Sequence, residues 1–317
     1  MTVAILGGIN LDIVMQVAAL PLPGETIPAR RVVEGAGGKG LNQAVAAARF
    51  GASVQMLGAV GDDEAGRSLR ALLREDGIDE SGVATCLDSA TGRAFIALSE
   101  DGENSIVVDA GANMTFGAEA LRAATAPVRV SLTQFEARPD AIEAMFLSPG
   151  AGIRILNAAP ALVDHRALLA LADIAILNET ECQAFAGAAT MPDDAQGIAA
   201  LARQLLGGQL RHIIVTLGGQ GCLLVDAEGH EAFAAIKVPV VNTVGAGDCF
   251  CGVFAAALAQ GLDMRAAIRF AGAAAALPVG RGGAAGACPW APAPMAHAER
   301  TTGRKAWGRR NWRRDMW

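Results

Sequence analysis

Tyrosine is absent from this 317-residue chain, and aromatic residues make up only 4% of it. The four tryptophans, Trp290, Trp307, Trp312 and Trp317, all stand at the C-terminal end. The apolar content, 52%, is therefore mostly Ala, Val and Leu, which suits closely packed helices and buried strands. CxxC pairs are also missing. The six cysteines (86, 182, 222, 249, 251 and 288) are scattered through a long chain. That distribution excludes a disulfide framework and points to a reduced, cytoplasmic setting. The N-terminal "MTVAILGGINLD" has no basic n-region and meets Asp12 early, so it does not read as a secretory signal. The longest apolar run, around "VFAAALAQGL", is too short to span a bilayer. No internal repeat is visible. Basic charge is scarce as well: the formal net charge is −6. Residues 291–317 hold seven of the 26 Lys and Arg but two of the 32 acids, which leaves the body near −11. An acidic body argues against nucleic acid as the main partner.

What is present alternates. "TVAILGG" and "SVQMLGAVG" read as buried strands. "GLNQAVAAARFG" and "DEAGRSLRALLREDG" read as helices stopped by Gly51 and Gly77. Further strands ("VRVSLTQF", "IRILNAA", "DIAILNE", "HIIVTLGG", "CLLVDAEG") come with helical stretches between most of them. This predicts an α/β fold: a mostly parallel central sheet with helices on both faces. Two segments break the rhythm, about 13–34 and 93–109. The second carries a hairpin signal at "EDGEN". They predict a small antiparallel sheet, serving either as a lid that keeps water from a transfer reaction or as surface decoration.

Two glycine loops carry the chemistry. "GAGGKG" (35–40) matches GxGxxG, but not directly after the first strand, and no acid follows in the proper context for a dinucleotide. It also fails as a Walker loop, because Lys39 is followed by Gly40. It reads as a tight turn before a helix, or as a loop closing on a small ligand with Lys39 or Asn42 bonding its hydroxyls. "VGAGDCF" is more informative. Gly245, Ala246 and Gly247 let main-chain N–H groups converge at a helix start, and Asp248 sits in the first turn. An acid there suits a helix N-terminus on its own account. It also suits phosphoryl transfer, with the turn neutralising the migrating group and the carboxylate accepting a hydroxyl proton.

The segments "GGINLD", "PLPGET", "GAGGKGLNQAVAAARFGA", "GAVGDDEAG", "GENSIVVDAGAN", "LNAAPA", "LNETE", "IVTLGGQG" and "NTVGAGDCFCG" occur in this order over roughly residues 1–289. Together they resemble the PfkB family of carbohydrate kinases, the ribokinase-type sugar kinases. The run "GGKGLNQAVAAARFGA" draws the likeness toward those acting on ribose. The resemblance implies Asp248 as catalytic base and Gly245, Ala246 and Gly247 as its anion hole. It implies Asn10, Asp12, Gly38, Lys39, Asn42 and Glu136 around the sugar. Asn178 and Glu181 would stand near the nucleotide phosphates and Mg²⁺, and Thr216, Gly218 and Gly221 under the nucleotide. A lid that also serves as a homodimer interface belongs to the same expectation. The implied reaction is ATP with D-ribose, giving ADP and D-ribose 5-phosphate, with deoxyribose, a nucleoside, or a sugar-binding regulator without catalysis as alternatives.

The pattern departs from the family in two places. Asn242 stands where these kinases usually carry Asp, and Ala287 where Ser is common. The implied monovalent-cation (K⁺) site would use Asn242, Val244, Pro278, Arg281 and Gly283, so two lost polar groups predict a weaker dependence on potassium. Residues 1–290 are expected to form the kinase domain. The basic, Trp-bearing stretch 291–317 is expected to be a disordered tail, with an arm for anionic partners as the other reading.

Overall fold

The computed structural model describes residues 2–124, 127–238 and 245–279. The central sheet draws on β1 (Thr2–Leu6), β4 (Ser53–Gly61), β5 (Asp79–Cys86), β8 (Val130–Gln134), β9 (Ile153–Asn157), β10 (Ile174–Asn178), β11 (His212–Thr216), β12 (Gly221–Val225) and β13 (His230–Ala234). Their order is β13-β12-β11-β10-β9-β8-β1-β4-β5. All neighbours are parallel except at β12 and β13. Only four residues, Leu217 and the 3-10 turn Gly218–Gln220, join β11 to β12. A link that short cannot make a parallel crossover, so this edge closes as an antiparallel meander.

Side-chain alternation divides the aliphatic strands between two cores. Val3 and Ile5 join one apolar cluster, and Ala4 and Leu6 the other. Ile174 and Ile176 face the first, while Ala175 and Leu177 face the second. Helices α1 (Lys39–Arg49), α2 (Glu64–Glu75), α7 (Ala246–Ala259) and α8 (Met264–Val279) supply the first cluster. The second is supplied by α3 (Ala118–Ala124), α4 (Pro139–Leu147), α5 (Glu179–Ala186) and α6 (Ala195–Arg203). Among the described residues no helix is long and apolar enough to cross a membrane.

The small sheet is present, ordered β3-β2-β6-β7, from β2 (Asn10–Gln16), β3 (Arg31–Gly37), β6 (Gly92–Leu98) and β7 (Asn104–Asp109). It is not wholly antiparallel: the central pair β2 and β6 runs parallel. β2 follows β1 after three residues and β6 follows β5 after five, and β1 and β5 both run parallel to β4. Only the outer pairings, β2 with β3 and β6 with β7, are antiparallel. At the root of β6, Thr91 Oγ1 donates to Asp63 Oδ1 at 2.5 Å, and the Thr91 amide donates to Asp63 Oδ2. Asp63 also caps α2 through the Gly66 amide. Burial opposes its charge, but the Thr91 hydroxyl and the two amides outweigh that and hold the carboxyl below its ordinary range. The small sheet is thereby tied to the frame at the residue that caps α2.

Candidate functional site

The site forms where the lid root, the start of α1 and the start of α7 meet above the ends of the parallel strands. Here "GAGGKG" makes the tight turn before α1. Gly38 has φ +88°, and a side chain on it would meet the Gly8 carbonyl oxygen at 2.5 Å; one on Gly40 would lie 2.5 Å from the Gly7 carbonyl carbon. The turn is therefore pressed against the end of β1, where only glycine fits. Glu136, just past β8, accepts from the Lys39 amide at 2.8 Å, placing a carboxylate at the N-terminus of α1.

Helix α7 starts from Gly245 in the left-handed region (φ 81°). The main-chain N–H groups of its first turn have no partner within the helix, as at any helix start. Asp248 follows, and both its carboxylate oxygens are held: Asn42 Nδ2 donates to Oδ2 and Gln43 Nε2 to Oδ1, each at 3.0 Å. Asn42 Oδ1 is buried and has no protein partner, which leaves an acceptor free. Lys39, Asn157, Asn178, Glu181, Thr216, Gly245, Gly247 and Asp248 line one cleft.

On the lid side, Asn10 is buried and accepts at Oδ1 from Asn113 Nδ2 at 2.7 Å, while Asn113 Oδ1 accepts from the Ile9 amide. Asn113 was missed as a site residue, although it ends the quoted run "GENSIVVDAGAN". It lies in the short 3-10 turn Gly111–Thr115 that follows β7, and a buried amide there must find partners. Asp12 projects from β2 over Gly37. Burial, reinforced by the nearby charges of Glu136 and Asp248, pushes its carboxyl up to about 7, against the pull of Lys39. Burial likewise raises Glu136, although Lys39 and its amide draw it back. Burial works against charge on Lys39, but Asp248, Glu136 and Glu181 outweigh it and hold the ammonium above its usual value. One lysine among four carboxylates leaves a negative pocket that suits a neutral polyol in the carboxylate-rich part and an incoming anion only beside Lys39 and the α7 amides.

On the far side of the cleft, Asn178 and Glu181 form a reciprocal capping box at α5. Asn178 Oδ1 accepts from the Glu181 amide and Glu181 Oε2 from the Asn178 amide, both at 2.8 Å. The "NxxE" spacing thus has a structural reason, and it also fixes Glu181 at the cleft wall with one oxygen uncommitted. Burial raises its carboxyl, partly offset by the Asn178 amide and Lys39. Thr216 ends β11 and bonds the Leu177 carbonyl, with Gly218 and Gly221 bracketing the next turn. Cys251, one turn past Asp248, also lines the cleft; burial holds its thiol well above the ordinary range. Of the residues named for a monovalent cation, Asn242, Val244, Arg281 and Gly283 lie outside the described residues, as does the stretch 291–317. Pro278 falls in the last turn of α8, not in a loop.

Residues 2–291 match the pfkB family of carbohydrate kinases. A ribokinase from Haemophilus influenzae is 34% identical over 293 residues, covering 91% of this chain and 95% of that protein. A deoxyribokinase from Salmonella typhi is 33% identical over 276 residues, covering 85% and 89%. The structure of Arabidopsis thaliana ribokinase complexed with ribose and ATP superposes with a TM-score of 0.80 at 28% identity, covering 94% of this chain and 98% of that one. The chain belongs to the pfkB family of carbohydrate kinases.

Proposed function

We propose, from this membership, that the enzyme transfers the γ-phosphoryl group of ATP to the 5-hydroxyl of D-ribose. The observation that carries the proposal is the carboxylate of Asp248, oriented by two amides at the N-terminus of α7 and facing the same cleft as Lys39 and Glu181. In this reading Asp248 accepts the proton of the attacking primary hydroxyl, a role worth on the order of a hundred- to ten-thousand-fold in rate. The free N–H groups of residues 245–247 and the Lys39 ammonium take up charge developing on the transferred group. Asn10, Asp12, Gly38, Lys39, Asn42 and Glu136 hold the sugar hydroxyls; the uncommitted Asn42 Oδ1 supplies one acceptor. Thr216, Gly218 and Gly221 lie under the nucleotide.

Among the described residues no group of three or more His, Cys, Asp and Glu could hold a metal unaided. That fits Mg²⁺ arriving with a triphosphate, which needs only one or two protein carboxylates. Glu181 faces the cleft and would hold the ion. Bound there, the ion would offset the charge of the phosphates. The losses at Asn242 and Ala287 support only weak activation by potassium.

The lid supports self-association. Edge strand β7 exposes Ile106, Val107 and Val108, and β3 exposes Val32 and Val33 at the other edge. Unpaired apolar edges invite a second copy of the same sheet. A sedimentation measurement giving only monomer at micromolar concentration would remove this point.

The deoxyribokinase relative favours 2-deoxyribose as the second reading. A coupled ADP-release assay across ribose, 2-deoxyribose, fructose and adenosine tests both. Ribose is expected to give the highest kcat/KM. A preference for deoxyribose would select the second reading, and turnover only with adenosine would refute both.

A further inference from the structure

Behind Asp248 lies a chain of amides in which Gln43 and Gln134 are closed to any substrate, while Asn157 reaches the cleft wall. Gln43 Nε2 donates to Asp248 Oδ1 and to Asn157 Oδ1, both at 3.0 Å. Gln134 Nε2 donates to Gln43 Oε1 at 2.6 Å, and Asn157 Nδ2 donates to the Ile176 carbonyl at 3.2 Å. Gln43 and Gln134 are 0% exposed. The direction of every link is forced. A carboxylate at one end and a main-chain carbonyl at the other only accept. Gln43 must therefore turn its NH₂ toward Asp248 and Asn157, and its oxygen is left for the Gln134 donor. Three elements meet here: Gln43 from α1, Gln134 from the end of β8 and Asn157 from the end of β9. Helix α7 is held against α1 because Gly252 lies directly on the Gln43 carbonyl. Gln43 is fully buried with both ends satisfied, although Gln134 Oε1 is buried without a partner among the described residues; such a buried amide network is costly to assemble without a purpose.

We infer that Gln43, locked in one orientation by Gln134, is a positioning residue for the base. It fixes the plane of the Asp248 carboxylate, so that the oxygen meeting the hydroxyl is set before substrate arrives. This rests on the reading of Asp248 as base. It predicts that loosening the lock costs turnover and leaves binding alone, since misplacing a reacting group by a fraction of an ångström costs roughly ten- to a hundred-fold.

The test is Gln43→Met, which keeps length and removes the donor, made in the wild type and in Asp248→Asn. Calorimetry with ribose and with a non-hydrolysable ATP analogue reads binding, and single-turnover phosphorylation reads the chemical step. In the wild-type background the rate is expected to fall about tenfold to a hundred-fold, with both dissociation constants within about twofold. In the Asp248→Asn background no further loss is expected, because the group being positioned has gone. An unchanged rate in Gln43→Met, or an equal proportional loss in both backgrounds, overturns the inference. Gln134→Met removes only the lock and covers the case in which Gln43→Met does not fold. It is expected to lose severalfold in rate without loss of binding, and an unchanged rate in that folded variant overturns the inference in its turn. If Asp248→Asn itself turns over like the wild type, the base assignment fails. If that variant is inactive while both glutamine variants are not, the positioning role alone fails.

Discussion

Replacing Asp12 by Asn should make the sugar-free enzyme more stable while spoiling its use of sugar, and the gain should depend on pH. Among the described residues Asp12 forms no ion pair; Lys39 acts as a nearby charge, and burial with Glu136 and Asp248 pushes its carboxyl from 3.8 up to about 7. The unfolded chain releases that proton near the ordinary value. Between about pH 4 and pH 7 the folded state therefore holds more protons than the unfolded one, and stability falls as pH rises through that window. Above pH 7 the loss is complete. Three pKa units correspond to ~4 kcal/mol as an upper bound, at about 1.4 kcal/mol each. Solvent reaching the half-open pocket reduces this to about 2 kcal/mol. Asn has the same shape and no charge to bury. Asp12→Asn should therefore raise Tm at pH 8 by about 2–4 °C, with the gain shrinking toward pH 5. Ribose binding should weaken by roughly a hundred-fold, since hydrogen bonds to a charged group are worth about 1.5–3 kcal/mol. Scanning calorimetry of the sugar-free protein at pH 5 and pH 8, with ribose titrations, reads both. A variant less stable than wild type at pH 8, or a Tm difference independent of pH, would refute the electrostatic reasoning.

Asp248→Ala should retain ribose and ATP binding by calorimetry and lose a hundred-fold or more in kcat; wild-type turnover in that variant would remove the mechanism. Gly252→Ala drives a methyl group into the Gln43 carbonyl and to 2.7 Å from Ala46 Cβ. It should destabilise by about 1–3 kcal/mol in urea unfolding and lower kcat beyond what stability explains, because it shifts the helix carrying Asp248 against the one holding it. Adding potassium to a sodium-free assay should raise the rate only slightly, and a steep saturable rise would show that Asn242 and Ala287 are no handicap.

The layered fold was legible because its signals are local. Continuous aliphatic runs such as Thr2–Leu6 and Ser53–Gly61 read as strands buried on both faces. Glycines at 51 and 77 end the helices where the pattern stops. The lid strands were visible too, but their pairing was not. β2 and β6 lie far apart in the chain, yet they pair in parallel. At the site, Lys39, Asn42 and Asp248 could be singled out from glycine turns at helix starts, whereas Asp12 and Glu136 entered only through the resemblance to the family. Asn113 and Gln43 were passed over, since an amide inside a run looks like any other polar residue until its partners are known.

The sequence by itself determined which residues could do chemistry: an acid at a helix start behind small residues, and Lys39 and Asn42 beside a glycine turn. Short-range geometry governs those features, and short-range geometry is written in neighbouring letters. Only the tertiary structure decided that Asn42 and Gln43 on α1 grip Asp248, more than two hundred residues away. It also decided that Gln134 and Asn157 complete the grip and that four carboxylates crowd one lysine. Hydrogen-bond partnership and charge crowding depend on distance in space, and distance in space is fixed only when the helices pack on the sheet.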